Sequence, residues 1–88
     1  MRALITGGTR GIGLACCRLF FRMGFEVVAL YSSDESAAQT AKKQLPDIRF
    51  LRADVSDEQR MRDVFAEIGP IDVLVNNAGI DAFAQVQD

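Results

Sequence analysis

Four short apolar runs punctuate the chain, and between them apolar residues recur at the spacing of a helix face. Ala3-Leu4-Ile5-Thr6 ends at glycines. It predicts a buried strand, since a strand with one wet face would alternate apolar with polar residues. From Gly11 the period changes. Ile12, Cys16, Leu19, Phe20 and Met23 fall at helical intervals and are expected to pack on a sheet, with Phe21 off that face and Gly24 as the C-terminal stop. Glu26 to Tyr31 predicts a second strand. Ser32, with Glu35 three residues on, has the form of a capping box for an alanine-rich helix reaching about Leu45, before Pro46. Ile48 to Val55 predicts a third strand, interrupted by Arg49 and Arg52. Ser56-Asp57-Glu58-Gln59 is a second capping box; its helix carries Met61, Val64, Phe65 and Ile68 on one face and stops at Gly69-Pro70. Ile71 to Asn76 is the fourth strand, and its Val-Leu-Val core suits a position covered on both faces.

Strands alternating with helices of this length predict an α/β fold with a parallel sheet and right-handed crossovers. No repeat, linker or low-complexity tract interrupts the pattern, so the 88 residues are expected to belong to one domain. A chain this short buries only roughly 60–65% of its unfolded surface, so marginal stability is expected.

Composition mainly excludes. A net charge of −2 gives no electrostatic reason to expect nucleic acid or an anionic membrane. The absence of histidine removes any imidazole base, histidine metal ligand and Ser-His or Cys-His pair. Cys16 and Cys17 are adjacent inside a predicted helix, which suits neither a disulfide framework nor a CxxC site. They are expected to be reduced packing residues of a cytoplasmic protein. The start, Met1 to Gly8, reaches glycines after a very short apolar run, unlike a signal peptide, and no apolar stretch approaches transmembrane length.

The candidate chemistry lies in LITGGTRGIG, residues 4–13. A strand that feeds a helix through glycines gathers free backbone N–H groups and the positive helix end at one point, a ready phosphate site. The Walker A form fails, because Leu14 and Ala15 follow Gly13 where lysine and a hydroxyl are needed. The form G-x-G-x-x-G fails as well, because Cys16 stands at the third glycine. What is present is T-G-x-x-x-G-x-G, formed by Thr6, Gly7, Gly11 and Gly13. Glycines in such a turn can also serve chain reversal alone.

That spacing resembles the cofactor loop of the short-chain dehydrogenase/reductase family. Asn76-Asn77-Ala78-Gly79, closing the fourth predicted strand, and Asp54, in the segment Ala53 to Asp57, match two further landmarks of that family in the right order. The resemblance covers nearly the whole chain and is strongest to the branch containing 3-oxoacyl acyl-carrier-protein reductases. It implies a Rossmann-type, three-layer α/β/α fold with about four parallel strands in the order 3-2-1-4, incomplete relative to the family. It implies that Gly7, Thr9, Arg10, Gly11, Ile12 and Gly13 hold a nicotinamide dinucleotide, with Asp54 at the adenine amino group and Val55 against the adenine. Asn77, Ala78 and Gly79 would lie along the ribose and nicotinamide, while Asn76 would bridge strands. The alternative for Asp54 is a turn-forming aspartate, with the adenine contact the preferred reading.

Cofactor choice is read at the end of the second strand, where a carboxylate would bond the ribose 2′-hydroxyl of NAD. Tyr31 stands there, and Asp34 and Glu35 come later, where they fit the first turn of a helix. Arg10, Ser32 and Ser33 supply a guanidinium and two hydroxyls suited to a 2′-phosphate. NADP(H) is therefore expected, with NAD as the alternative.

The resemblance implies hydride transfer between a carbonyl and an alcohol, performed with a serine and a Tyr-x-x-x-Lys pair. Tyr31 is the one tyrosine, Glu35 stands four residues on, and Lys42 and Lys43 belong to another helix. No residue here is expected to be catalytic, which points to the N-terminal half of a longer, homo-oligomeric enzyme acting on a small carbonyl or alcohol substrate, free or acyl-carrier-protein-linked. Two readings compete: a non-catalytic nucleotide-binding or regulatory module, and a flavodoxin-like domain. The sequence lacks the hydroxyl-rich phosphate loop and the aromatic platform that the latter needs.

Overall fold

The computed structural model describes residues 1–77. Strands and helices alternate in the expected order: β1 (Arg2–Thr6), α1 (Gly11–Arg22), β2 (Glu26–Tyr31), α2 (Glu35–Gln44), β3 (Arg49–Arg52), α3 (Glu58–Ile68) and β4 (Val73–Asn76). Every strand pairing is parallel, and the sheet order is β3-β2-β1-β4.

Alternating side chains on the strands feed two separate cores. Leu4, Val28 and Leu30 pack with Val64 and Ile68 of α3 on one face. Ile5, Val27 and Ala29 pack with Cys17 of α1, and with Ile48 and Leu45, on the other. The central strands β1 and β2 are therefore apolar on both sides, as their unbroken apolar runs require. The result is a three-layer Rossmann-type sandwich.

The buried face of α1 differs from the sequence expectation. Ile12, Leu19 and Met23 are 63%, 56% and 60% exposed, while Gly13 and Cys17 are buried and Cys16 and Phe20 are partly so. Helical spacing fits either stripe. The observed one is chosen because the helix start presses on the loop, where only small residues fit. Phe20 then meets Phe25 edge-on at 5.0 Å between ring centroids.

Both predicted capping boxes are replaced by aspartate caps one or two residues on. Asp34 accepts from Ala37 N at 2.9 Å, and Asp57 accepts from Arg60 N at 3.0 Å. A carboxylate satisfies the first-turn donor and also favours the positive helix end, which a serine hydroxyl cannot do. β3 is shorter than expected because Ile48 and Ala53 lie just outside it. Among the described residues β4 is an outer strand, with Leu74 exposed, rather than a strand covered on both faces.

Candidate functional site

The carboxyl ends of parallel strands form one edge of the sheet, and the predicted site residues gather there. Chain connections run from β1 outward to β2 and β3, then return to β4 on the other side. The crevice between β1 and β4 is thus a topological switch point, where open α/β sheets bind ligands.

The loop from Gly7 to Arg10 occupies that point. Gly7 and Gly11 have φ of 64° and 59°, in the left-handed region that favours glycine. Gly13 is required for a different reason. A Cβ on it would lie 2.0 Å from the Gly7 carbonyl oxygen and 2.8 Å from Asn77 Nδ2. That oxygen accepts from Asn77 Nδ2 at 3.1 Å, so Asn77, buried at the end of β4, ties the fourth strand to the loop. The resemblance placed Asn77 only along the ribose and nicotinamide, because nothing local in the sequence signals a side-chain contact 70 residues away.

Gly8, second of the glycine doublet and outside the fixed positions of the T-G-x-x-x-G-x-G pattern, is constrained as Gly13 is. A Cβ on Gly8 would lie 2.6 Å from Ala29 Cβ and 3.1 Å from Cys17 Sγ, so the loop sits directly on β2 and α1. Gly8 N donates to Leu30 O at 3.1 Å, and Cys17 Sγ lies 3.7 Å from Gly8 O. Burial pushes the Cys17 thiol up to about 12, with the neighbouring Cys16 adding to the shift, so it stays a neutral packing group at physiological pH.

The start of α1 faces outward. Arg10 is its N-cap residue but makes no side-chain cap bond, and the first turn holds no acidic side chain. α2 and α3 each have an aspartate cap and a first-turn glutamate. A Cβ on Gly11 would meet nothing within 4 Å, so the loop is open where a phosphate would approach the first-turn N–H groups. Ile12 is exposed beside it, and Thr9 is buried within the loop.

Arg10 reaches across to the next strand end. Its Nη1 lies 3.3 Å from Asp34 Oδ2, which brings the guanidinium to the turn containing the exposed Ser32 and Ser33. Glu35 is otherwise engaged: its carboxylate accepts from Tyr31 Oη at 3.1 Å and from Arg52 Nη1 at 3.3 Å. Partial burial and the Glu35 carboxylate hold the Tyr31 hydroxyl above its ordinary value, the reverse of what a catalytic tyrosine needs.

Asp54 and Val55 lie exposed just beyond β3. Asp54 Oδ1 accepts from Ser56 N at 2.9 Å and Ser56 Oγ at 2.7 Å, and these bonds lower its pKa. It therefore does form a turn, and its position at the sheet edge also suits a ligand contact. Asn76 Oδ1 lies 3.3 Å from Thr6 Oγ1 across the β1–β4 pair, the strand-bridging role expected of it. Ala78 and Gly79 lie outside the described residues. Among the described residues no group of three acidic or thiol side chains converges as a metal site, and no helix is long and apolar enough to cross a membrane.

Comparison with known proteins agrees with this architecture. The pattern of a family described as "short chain dehydrogenase" matches residues 1–88, the whole chain. The chain is 43% identical to D-xylose 1-dehydrogenase of Caulobacter vibrioides over 84 residues, covering 91% of this chain and 34% of that protein. It is 44% identical to acetoacetyl-CoA reductase of Rhizobium meliloti over 82 residues, covering 89% and 34%. Among solved structures, one described as a short chain dehydrogenase/reductase family protein superposes with a TM-score of 0.77 at 37% identity, covering 88% of this chain and 33% of that one. An acetoin dehydrogenase of Salmonella typhimurium superposes with a TM-score of 0.67 at 32% identity, covering 84% and 34%. The chain spans about a third of the length of these relatives.

Proposed function

The chain belongs to the short-chain dehydrogenase family, and on that premise we propose that it is the NADP(H)-binding part of an oxidoreductase that interconverts a carbonyl and an alcohol. The observation that supports this most directly is the outward-facing start of α1: a helix end without a side-chain cap, beneath a loop open at Gly11. The nicotinamide cofactor supplies a hydride acceptor or donor. This chain's residues hold and orient it.

The first-turn N–H groups of α1 and the loop backbone would take the pyrophosphate, with the positive helix end favouring its charge. Gly13 and the Asn77 amide hold the Gly7 carbonyl in place, which fixes the loop's shape before a ligand arrives. Arg10, with Ser32 and Ser33, would bind the 2′-phosphate, and Asp54 and Val55 would contact the adenine. The catalytic serine and Tyr-x-x-x-Lys of the reaction would come from elsewhere in the protein, since Tyr31 is held by Glu35 and has no lysine four residues on. Similarity to an acetoacetyl-CoA reductase and a sugar dehydrogenase favours a small polar carbonyl or alcohol substrate, free or carried as a thioester.

Calorimetric titration of the full-length protein tests the reading. NADP+ should bind more tightly than NAD+, and Arg10→Ala should weaken NADP+ roughly tenfold, the loss of one charge-assisted contact. Tighter binding of NAD+, or NADP+ affinity indifferent to Arg10, would refute it.

A further inference from the structure

Arg10, assigned above to the 2′-phosphate, already has an anionic partner inside the protein. The Asp34 carboxylate lies 3.3 Å from its Nη1 through Oδ2, while Asp34 Oδ1 caps α2 by accepting from Ala37 N at 2.9 Å. One carboxylate thus has two tasks that can be separated. The other acidic residue of this turn, Glu35, is committed to Tyr31 and Arg52 and does not compete for Arg10.

We propose that Asp34 is an internal stand-in for the cofactor's 2′-phosphate, and so sets how strongly the site distinguishes NADP from NAD. The inference rests on the cofactor reading of the preceding section. The pair is exposed on both sides, with side-chain accessibilities of 78% for Arg10 and 41% for Asp34. Such a pair is weak and readily exchanged. A dianionic phosphate with three acceptor oxygens outcompetes a carboxylate that can offer Arg10 only one, because the other serves the helix. The incoming phosphate must nevertheless break the Arg10–Asp34 pair. NAD, which presents only a hydroxyl, need not break it. Asp34 therefore lowers NADP affinity while leaving NAD affinity unaffected, and narrows the preference that Arg10 creates.

Asp34→Asn separates the two tasks. Asparagine can accept the same Ala37 N–H, so α2 should keep its cap and lose only the small stabilisation of a charge at the helix start, about 0.3–1 kcal/mol, while the charge facing Arg10 is lost. Titration of the full-length protein should show NADP+ binding roughly two- to fivefold tighter in D34N, the range expected for an exposed pair, with NAD+ affinity unchanged. In an R10A background the D34N gain should vanish. NADP+ affinity unaltered by D34N overturns the proposal while leaving the cofactor reading intact. A fall in NAD+ affinity also overturns it, since Asp34 would then be reading the ribose 2′-hydroxyl. A gain that persists without Arg10 overturns the route through that arginine. A native protein that binds neither dinucleotide refutes the cofactor reading and this inference together.

Discussion

Two glycines in the first turn of α1, Gly11 and Gly13, are needed for opposite reasons, and substitution should tell them apart. Gly13 has no room: an alanine methyl would overlap a backbone oxygen, so loop and helix must part. Gly13→Ala is expected to cost about 1–3 kcal/mol by overpacking and to weaken dinucleotide binding by more than tenfold. Gly11 has room but a φ of 59°, so Gly11→Ala should cost about 1–2 kcal/mol through backbone conformation alone. Urea unfolding and cofactor titration on both variants check the contrast; equal losses of binding would remove the distinction. At this scale the sequence was informative wherever geometry is local. Glycine spacing marked Gly7 and Gly11, which need a left-handed backbone, and Gly13, which has no room for a side chain, but not the similarly crowded Gly8. It could not reveal Asn77 as the loop's tether, or Asp34 as the partner of Arg10, because both contacts join segments that only the sheet brings together.

Among the elements, strand order and helix placement were legible because both follow from apolar periodicity and short connections. Helix rotation was not. The stripe Ile12–Leu19–Met23 is as periodic as the buried one, and the choice is made by the close approach of Gly13 and Cys17 to the loop and sheet. The caps also shifted. Asp57 rather than Ser56 caps α3, and Asp57→Ala should cost about 1 kcal/mol of stability, whereas Ser56→Ala should leave the helix cap in place. Thermal unfolding of the two variants measures this. The reverse order would restore the capping box that the residue pattern suggested.

At the scale of the whole molecule, the two outer strands among the described residues have different characters. β3 begins with Arg49 and ends with Arg52, charges that discourage another strand from pairing there. β4 offers Val73, Leu74 and Val75, and α1 adds exposed Ile12, Leu19 and Met23. Apolar surface of this kind is buried by further chain or by another copy. The 88-residue chain by itself is therefore expected to self-associate with rising concentration, and Leu74→Lys to shift it toward monomer in sedimentation velocity. A wild-type chain that stays monomeric at high concentration would contradict this. The bond from Asn77 Nδ2 to the Gly7 carbonyl has a consequence in time as well as in space. It joins residues 70 apart, and β1 pairs with β4 over nearly the same span. Contacts of such long range form late in folding, after the loop-closure entropy has been overcome. As the chain emerges from the ribosome, its first strand and glycine turn must wait for residue 77 before they take their final shape. A dinucleotide that grips that turn would therefore recognise a completed sheet and pass over a nascent one.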